Sequence, residues 1–580
     1  MDFSAIFRKN YGSFRRFFSM LWKAKLPFLW IAADLIASFV ITRVGVSATE
    51  YSARLYAGDV DFAGVVVPFL AVTLVSLILS SISGLVTNLC SAVMDRNLRR
   101  MVWRKAVRLP LRFYEANEPK ELISRITSDT ASITTLVMRV FLPIITGAYS
   151  AWVVLQRIST YDSALMWSLL AILPVNVLIN FIMGRMNFGL SDLTNRRTAE
   201  LTAAIAERTN NAILIKTMGT EDKEFAAGKA RMEASYRAGV LSNWIGQLSL
   251  PIHAIAGSLQ VIVIIMVGRG FYAAGDITLP EWIAYYGFAT QLTNLFSNYL
   301  AYWATFKSTQ GATDRVSQIM DAPEEKSDAG EAVTELTGDI RLEGVDFGYG
   351  DSLLFQGLDL TIPAGRITAI VGPSGSGKST LLNLVDRLYP IQSGTVSVGG
   401  KDTAGYSLSS YRRSLGYVTQ ECVMYSGTLR DNLTQNLDRQ PTDAELDEAC
   451  AAAGILDYVR SQPDGYGLRI GEGGSSLSGG QRQRFTVARA LLKKPDYLLL
   501  DEATAAMDID GKDQVWSSIR RTMAGKTVAF VAHDGQTVRN ADYIIVMRDG
   551  KVEDAGDREA VLARSAYCQE MMEQTKQEEN

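Results

Sequence analysis

VGPSGSGKST, residues 371–380, follows the apolar run ITAI and leads into the helical stretch TLLNLVDRL. The spacing Gly372-xxxx-Gly377-Lys378-Ser379 between a strand and a helix is that of a P-loop. Glycines there let backbone N–H groups surround phosphates, Lys378 reaches the β and γ phosphates, and Ser379 ligates Mg. Gly372, Ser374, Gly375, Ser376, Gly377 and Thr380 complete the cradle. The expected cofactors are ATP and Mg.

Downstream, YLLLDE (497–502) reads as a buried parallel strand that delivers two acids to the carboxyl edge of a sheet, where ligands bind in such folds. Asp501 is the natural Mg partner, and Glu502 is placed to polarise an attacking water. LSGGQRQRFTVARALLKKP (477–495) follows another logic: Ser478, Gly479 and Gly480 open a helix whose amide end suits a phosphate, and the helix should stop before Pro495. Apolar strands such as ITAIVG, YLLLD and TVAFVAH alternate with helical segments, so the second half is a soluble α/β domain with a parallel sheet.

The first half is different. A hydrophobic share of 48% and mean hydropathy of +0.07 over 580 residues are too apolar for a soluble enzyme of this size. Six apolar stretches approach bilayer length: about 27–46, 64–88, 136–156, 164–184, 250–271 and 281–305. Basic residues gather after the second (Arg96 to Arg112) and the fourth (Arg185 to Lys223), which puts both termini in the cytoplasm. These long connections have helical character, with breaks at Tyr114–Leu122 and Thr209–Gly219 where short helices can touch another domain.

The N-terminus has no cleavage site behind a short apolar core. Phe3, Phe7, Phe14, Phe17 and Phe18 interleave with Arg8, Lys9, Arg15 and Arg16, which fits an amphipathic elbow helix on the membrane surface. Residues 1–321 therefore read as an all-α transmembrane domain of six helices. Residues 322–338, APEEKSDAGEAVTELTG, read as a linker, and 339–580 as the P-loop nucleotide-binding domain. A net charge of −3 gives no bulk attraction to nucleic acid. Cys90, Cys422, Cys450 and Cys568 are far apart with no CxxC, which argues against a zinc site or a disulfide framework.

The order P-loop, glutamine, LSGGQ, acidic strand, histidine resembles ABC transporters of the exporter type over essentially the whole chain. In that family one chain joins six membrane helices to one ATPase domain, and the LSGGQ of one subunit closes over ATP on the P-loop of the other. The resemblance implies that Tyr349 in FGYGD stacks on adenine, that Gln420 senses Mg and links to the membrane domain, and that Asp508 crosses the dimer interface. It implies that His533 contacts the γ-phosphate, that Glu502 is the catalytic carboxylate, and that Ser478 to Gln481 act on the partner's nucleotide. Leu109–Asp129 and Glu207–Phe225 look like the family's two coupling segments. The chain departs from the commoner pattern in TAAMD (504–508) and in Asp534 after His533, which bears on hydrolysis rate. A homodimer with two competent sites and the intact half of a heterodimer both fit.

Clues to cargo are polar groups inside the spans. Gly287, Gln291, Asn294 and Asn298 share one helical face, as do Asn176, Asn180, Gly184 and Asn187; such stripes line a path or bind neighbouring helices. Asp34 and His253 are costly in hydrocarbon, and line the cavity or pair with another helix. Tyr285, Tyr286, Phe288, Phe296, Tyr299, Tyr302 and Trp303 suit a bulky amphipathic solute or simple core packing. No peptidase domain is expected ahead of the first span, and the 47–63 connection is too short for a large external domain. The expected function is ATP-driven export of an amphipathic compound, lipid or peptide across a bacterial-type inner membrane. The alternatives are import of an iron chelate on the same fold, or an ATPase that gates or regulates a membrane partner. The six spans disfavour a soluble repair or translation ATPase.

Overall fold

The structure, a computed structural model, describes residues 16–325, 329–350, 352–505, 507 and 509–579. The expected basic and aromatic residues up to Arg15, and Asp508, lie outside the described residues, as do the side chains of His253, Asn298, Tyr299, Trp303 and the whole 176–187 stripe. The chain divides into two compact units. One holds the chain up to Arg108 together with Asn117–Ala322; the other holds Leu109–Ala116 together with Pro323–Asn580.

The first unit is helical throughout. Residues 16–23 form a helix whose Phe17 and Leu21 are buried while Phe18 and Trp22 are exposed, and Phe17 packs on Phe141 at 5.7 Å. Long helices follow: α1 (Phe28–Tyr56), α2 (Val67–Ala106, entered through a π turn at Phe62–Val66), a run over 119–159 that ends in α4 (Leu142–Ser159), α5 (Ser163–Asn210), α7 (Glu221–Ala274) and α8 (Leu279–Asp321). Each is longer than the apolar stretch read from sequence, because the polar connections continue the same helices past the hydrocarbon. Among the described residues four runs are long and apolar enough to cross a membrane: 28–56, 62–106, 119–159 and 254–274. The fourth and sixth expected spans lie on α5 and α8, and Gln291, Thr293 and Asn294 dilute the apolarity of α8.

The second break holds a short helix, α6 (Ala212–Met218), whereas at the first the short helix α3 (Leu111–Glu115) begins three residues ahead of the expected break and ends just inside it. α3 belongs to the unit that contains the ATPase sheet. There the Glu115 carboxylate accepts a hydrogen bond from the Tyr389 hydroxyl.

Asp34 is 5% exposed and does not stand alone: its Oδ1 accepts from Ser83 Oγ and Thr87 Oγ1, each at 2.8 Å. Of the two sequence readings, helix pairing describes it, since an ionisable group in hydrocarbon is tolerated when neighbouring donors satisfy it.

The second unit is built on two larger sheets, beside a short two-stranded one that pairs Gly427–Thr428 with Arg469–Ile470. A four-stranded antiparallel sheet has the order β2 (Phe355–Ile362), β1 (Ile340–Phe347), β4 (Ser393–Val398), β5 (Lys401–Asp402). The six-stranded sheet has the order β10 (Lys551–Asp557), β9 (Tyr543–Arg548), β3 (Ile367–Val371), β8 (Thr527–Val531), β7 (Tyr497–Asp501), β6 (Leu415–Val418). All its pairings are parallel except β9 with β10. Every residue of β3, β7 and β8 is buried, as a strand covered by helices on both faces must be.

The stretch after α8 is pinned to this unit. Arg412, on α10 (Leu408–Ser414), holds the Glu325 carboxylate through two bonds of 3.1 Å while donating to the carbonyls of Asp386 and Arg387 at the end of the P-loop helix α9 (Lys378–Val385). Further on, Glu331 N donates to Gly405 O and Val333 N to Ser410 Oγ, both at 2.9 Å.

Asp34→Ala removes the acceptor of two hydroxyls, one of them buried. It should cost about 1–3 kcal/mol, read as a lower midpoint of thermal unfolding in detergent, with Asp34→Asn losing less because the amide oxygen still accepts.

Candidate nucleotide site

Parallel register decides where the chemistry gathers. β3, β6, β7 and β8 all end on the same edge, and the residues at or just beyond their ends are Gly372, Gln420, Asp501 with Glu502, and His533. From β3 the chain enters the loop at Gly372, where a Cβ would lie 2.0 Å from the Met547 carbonyl oxygen, so only glycine fits. Gly377, with φ +100°, turns the loop into α9.

Lys378 opens α9, is buried, and donates to the carbonyls of Gly372 (2.8 Å) and Pro373 (2.9 Å). Burial pulls its ammonium below the usual lysine range, opposed by the nearby charges of Glu502 and Asp501. One of its three protons remains for another acceptor. Ser379 Oγ donates to Asp501 Oδ1 at 2.9 Å. Burial raises the Asp501 carboxyl above the ordinary carboxylate range, and the Ser379 bond works against that.

Glu502 is the hub of the edge. Its Oε1 lies 2.7 Å from His533 Nε2, and its Oε2 accepts from Gln420 Nε2 at 3.0 Å. The residue sits at φ +51°, a left-handed backbone that non-glycine residues rarely adopt and that clusters at functional sites. Gln483 Nε2 donates to its carbonyl at 3.3 Å, tying it to the LSGGQ helix.

These groups border a cleft of 380 Å³ lined by Tyr349, Leu354, Ser374, Gly375, Gly377, Lys378, Ser379, Thr380, Glu502 and His533. Tyr349 is 48% exposed, its hydroxyl 3.0 Å from Thr380 Oγ1, and its ring meets Tyr389 edge-on at 5.2 Å. Tyr389, unread in the sequence, thus links the Tyr349 ring to Glu115 on α3. Its only trace there is a tyrosine just past the P-loop helix, ahead of Pro390.

LSGGQ lies elsewhere. Ser478 caps α11 (Gly479–Leu492) in a reciprocal pair, Gln481 N donating to Ser478 Oγ at 3.2 Å and Ser478 N to Gln481 Oε1 at 2.9 Å. Ser478, Gly479, Gly480 and Gln481 line a separate cleft of 700 Å³ with Tyr458, Met507 and Gln514. None of them lines the P-loop cleft, so the structure brings the two halves of the motif set to different places on one chain.

The donor set fits a nucleotide triphosphate with Mg. A glycine loop at a helix start and a buried lysine suit phosphates, and a serine bonded to an aspartate suits a hard cation. The fold and this site define a P-loop ATPase joined to a membrane-embedded helical unit.

The chain belongs to the ABC transporters. Residues 28–296 match the ABC transporter transmembrane region and residues 355–505 the ABC transporter ATPase domain. It is 30% identical over 479 residues to a fatty acid ABC transporter ATP-binding/permease protein of Mycobacterium tuberculosis, covering 82% of this chain and 75% of that one. It is 28% identical over 540 residues to the serine protease/ABC transporter B family protein tagA of Dictyostelium discoideum, a match covering 91% of this chain and spanning 31% of the relative's length. In fold it resembles a bacterial Atm1-family ABC exporter solved with ATP bound, at a TM-score of 0.81, 24% identity, and coverage of 94% of this chain and 98% of that one. The protein is a multi-pass membrane transporter subunit with a cytoplasmic ATPase domain that binds ATP with Mg and couples its hydrolysis to transport. Over these residues one membrane region is followed by one ATPase domain, the organisation of a half-transporter, which pairs with a second.

Gly372→Ala should displace the loop, since the new methyl meets a backbone carbonyl that cannot swing aside. A titration with a fluorescent ATP analogue should show nucleotide affinity reduced at least about tenfold, equivalent to 1.4 kcal/mol.

Proposed function

We propose that the chain exports an amphipathic solute or lipid as a homodimer, with each nucleotide held between the P-loop of one copy and the LSGGQ of the other. The carrying observation is that Lys378, Glu502 and His533 border one cleft while Ser478 to Gln481 line another. All the required groups are present in one sequence, so two identical chains supply two complete sites. The fatty-acid relative supports the lipid class of cargo. The proposed domain limits are 1–321 for the membrane domain, 322–338 for the linker and 339–580 for the ATPase domain.

In this reading the P-loop amides and Lys378 hold the phosphates, and Tyr349 supports the adenine. Ser379, Gln420 and Asp501 hold Mg, which when bound neutralises phosphate charge. Glu502 orients the attacking water and accepts its proton, and His533, 2.7 Å away, fixes the Glu502 carboxylate and faces the terminal phosphate. Gln420 touches that same carboxylate, so loss of the terminal phosphate shifts a residue assigned to contact with the membrane domain. Asp508 stays assigned to the interface by resemblance.

The test is the purified chain in lipid nanodiscs, with particle mass and ATPase rate read together. A two-copy particle whose turnover falls at least about a hundredfold in Glu502→Gln, with ATP still bound, supports the proposal. A one-copy, inactive particle that turns over only with a second, different half-transporter overturns the homodimer. Solute flux unchanged in an inactive Glu502→Gln particle overturns pumping.

A further inference from the structure

The membrane unit carries a cation at hydrocarbon depth that the nucleotide chemistry does not use. α1 and α2 run antiparallel from the connection at 57–61, and Asp34 fixes their register through Ser83 and Thr87. Nine residues beyond Asp34 on α1 stands Arg43, and an equal climb on α2 ends at about Ser76. No Asp, Glu, Lys or Arg occurs from 62 to 94, and the exposed face of α2 around that level carries Leu70, Leu74, Val75, Leu77 and Ile78, with Ser80, Ser81 and Asn88 exposed further on. Arg43 therefore lies level with the charge-free stretch of α2, two helical turns short of the charged cluster at Glu50. The sequence reading passed over it because an apolar stretch ending at 46 puts position 43 near its edge, and only the Asp34 register shows its depth.

Arg43 is exposed, and its Nε donates to the Tyr149 hydroxyl on α4 at 2.9 Å. Its guanidinium makes no other hydrogen bond or ion pair among the described residues. Four N–H donors of the guanidinium remain. The acid one further turn pair along α1, Glu50, is already held by Arg157 and by the Tyr161 hydroxyl at 2.6 Å. The surroundings are mixed: the Tyr149 ring lies 4.3 Å from Phe39 and 5.9 Å from Trp152, and the next residue, Ser150, accepts from Gln291 of α8 at 3.4 Å.

A guanidinium at that depth is tolerated when it faces the bundle interior or a watered path, not lipid. Its free N–H fork matches a carboxylate or phosphate, and the adjoining rings suit an alkyl chain. We propose that Arg43 is the headgroup clamp of the transport path and selects anionic amphipaths, carboxylates or phosphates with an apolar tail. This rests on the export reading above and narrows its cargo to one charge class.

The test uses the intact dimer in phosphatidylcholine nanodiscs, with binding read from tryptophan fluorescence. Dodecanoate and dodecyltrimethylammonium share a tail and differ in charge. The wild type should bind dodecanoate at least about tenfold more tightly; Arg43→Gln should erase that preference, and Arg43→Lys, which keeps the charge and loses the fork, should retain only part of it. Tyr149→Phe, which removes only the hydroxyl that steadies Arg43, should keep the preference as well. An undiminished preference in Arg43→Gln overturns the assignment and, with ATP-driven flux intact, leaves the export reading standing. Failure of both compounds to bind the wild type overturns the clamp and the amphipathic cargo together.

Discussion

The parallel pairing of β3, β6, β7 and β8 is the constraint on which the rest depends. Strands that run the same way end on the same edge, so four segments spread over more than 150 positions deliver the P-loop, Gln420, Asp501 with Glu502, and His533 to one line. Because helices cover both faces of this sheet, its strands are continuous apolar runs with every residue buried. The 2.7 Å contact of His533 with Glu502 and the 2.9 Å contact of Ser379 with Asp501 follow from that register.

What the sheet cannot do is bring LSGGQ to the same line. Ser478 caps a helix whose first turn borders a different cleft, although Gln483 on that helix reaches the Glu502 carbonyl. The helix therefore senses its own acidic strand from behind while offering its amide end outward. A second chain is the natural acceptor of that offer, as a half-transporter requires. Two further contacts lie within the ATPase unit. Tyr389 joins the Tyr349 ring to α3, and Arg412 joins the end of the P-loop helix to Glu325, just after α8.

Much of this fold was legible because its strands are continuous apolar runs and its motifs sit where those runs stop. ITAIV and YLLLD could be read as buried strands before any coordinate, and the mid-connection break at 209–219 as the place of α6, while the break read at 114–122 lies mostly beyond α3. Contacts across the sheet were not legible, since nothing local in FVAHDG says that His533 meets Glu502. Asp34 announced itself by its cost in hydrocarbon, but its partners stand some 50 positions away on another helix. The polar segment after 322 reads as a tether by composition, whereas Glu325, Glu331 and Val333 are each bound to the ATPase unit. Apolar windows likewise located helices without their ends, because hydropathy stops at the bilayer and the helix does not.

The central claim is that no single chain contains a working site. Two inactive variants test it directly: Lys378→Ala, which spoils the P-loop, and Ser478→Arg, which blocks the LSGGQ end. Each alone spoils both sites of a homodimer. Co-assembled in one nanodisc, they leave one site spoiled twice and one site intact, so ATPase activity should reappear in the mixed particle at a substantial fraction of the wild-type rate. A mixed particle as inactive as either variant alone would contradict the account.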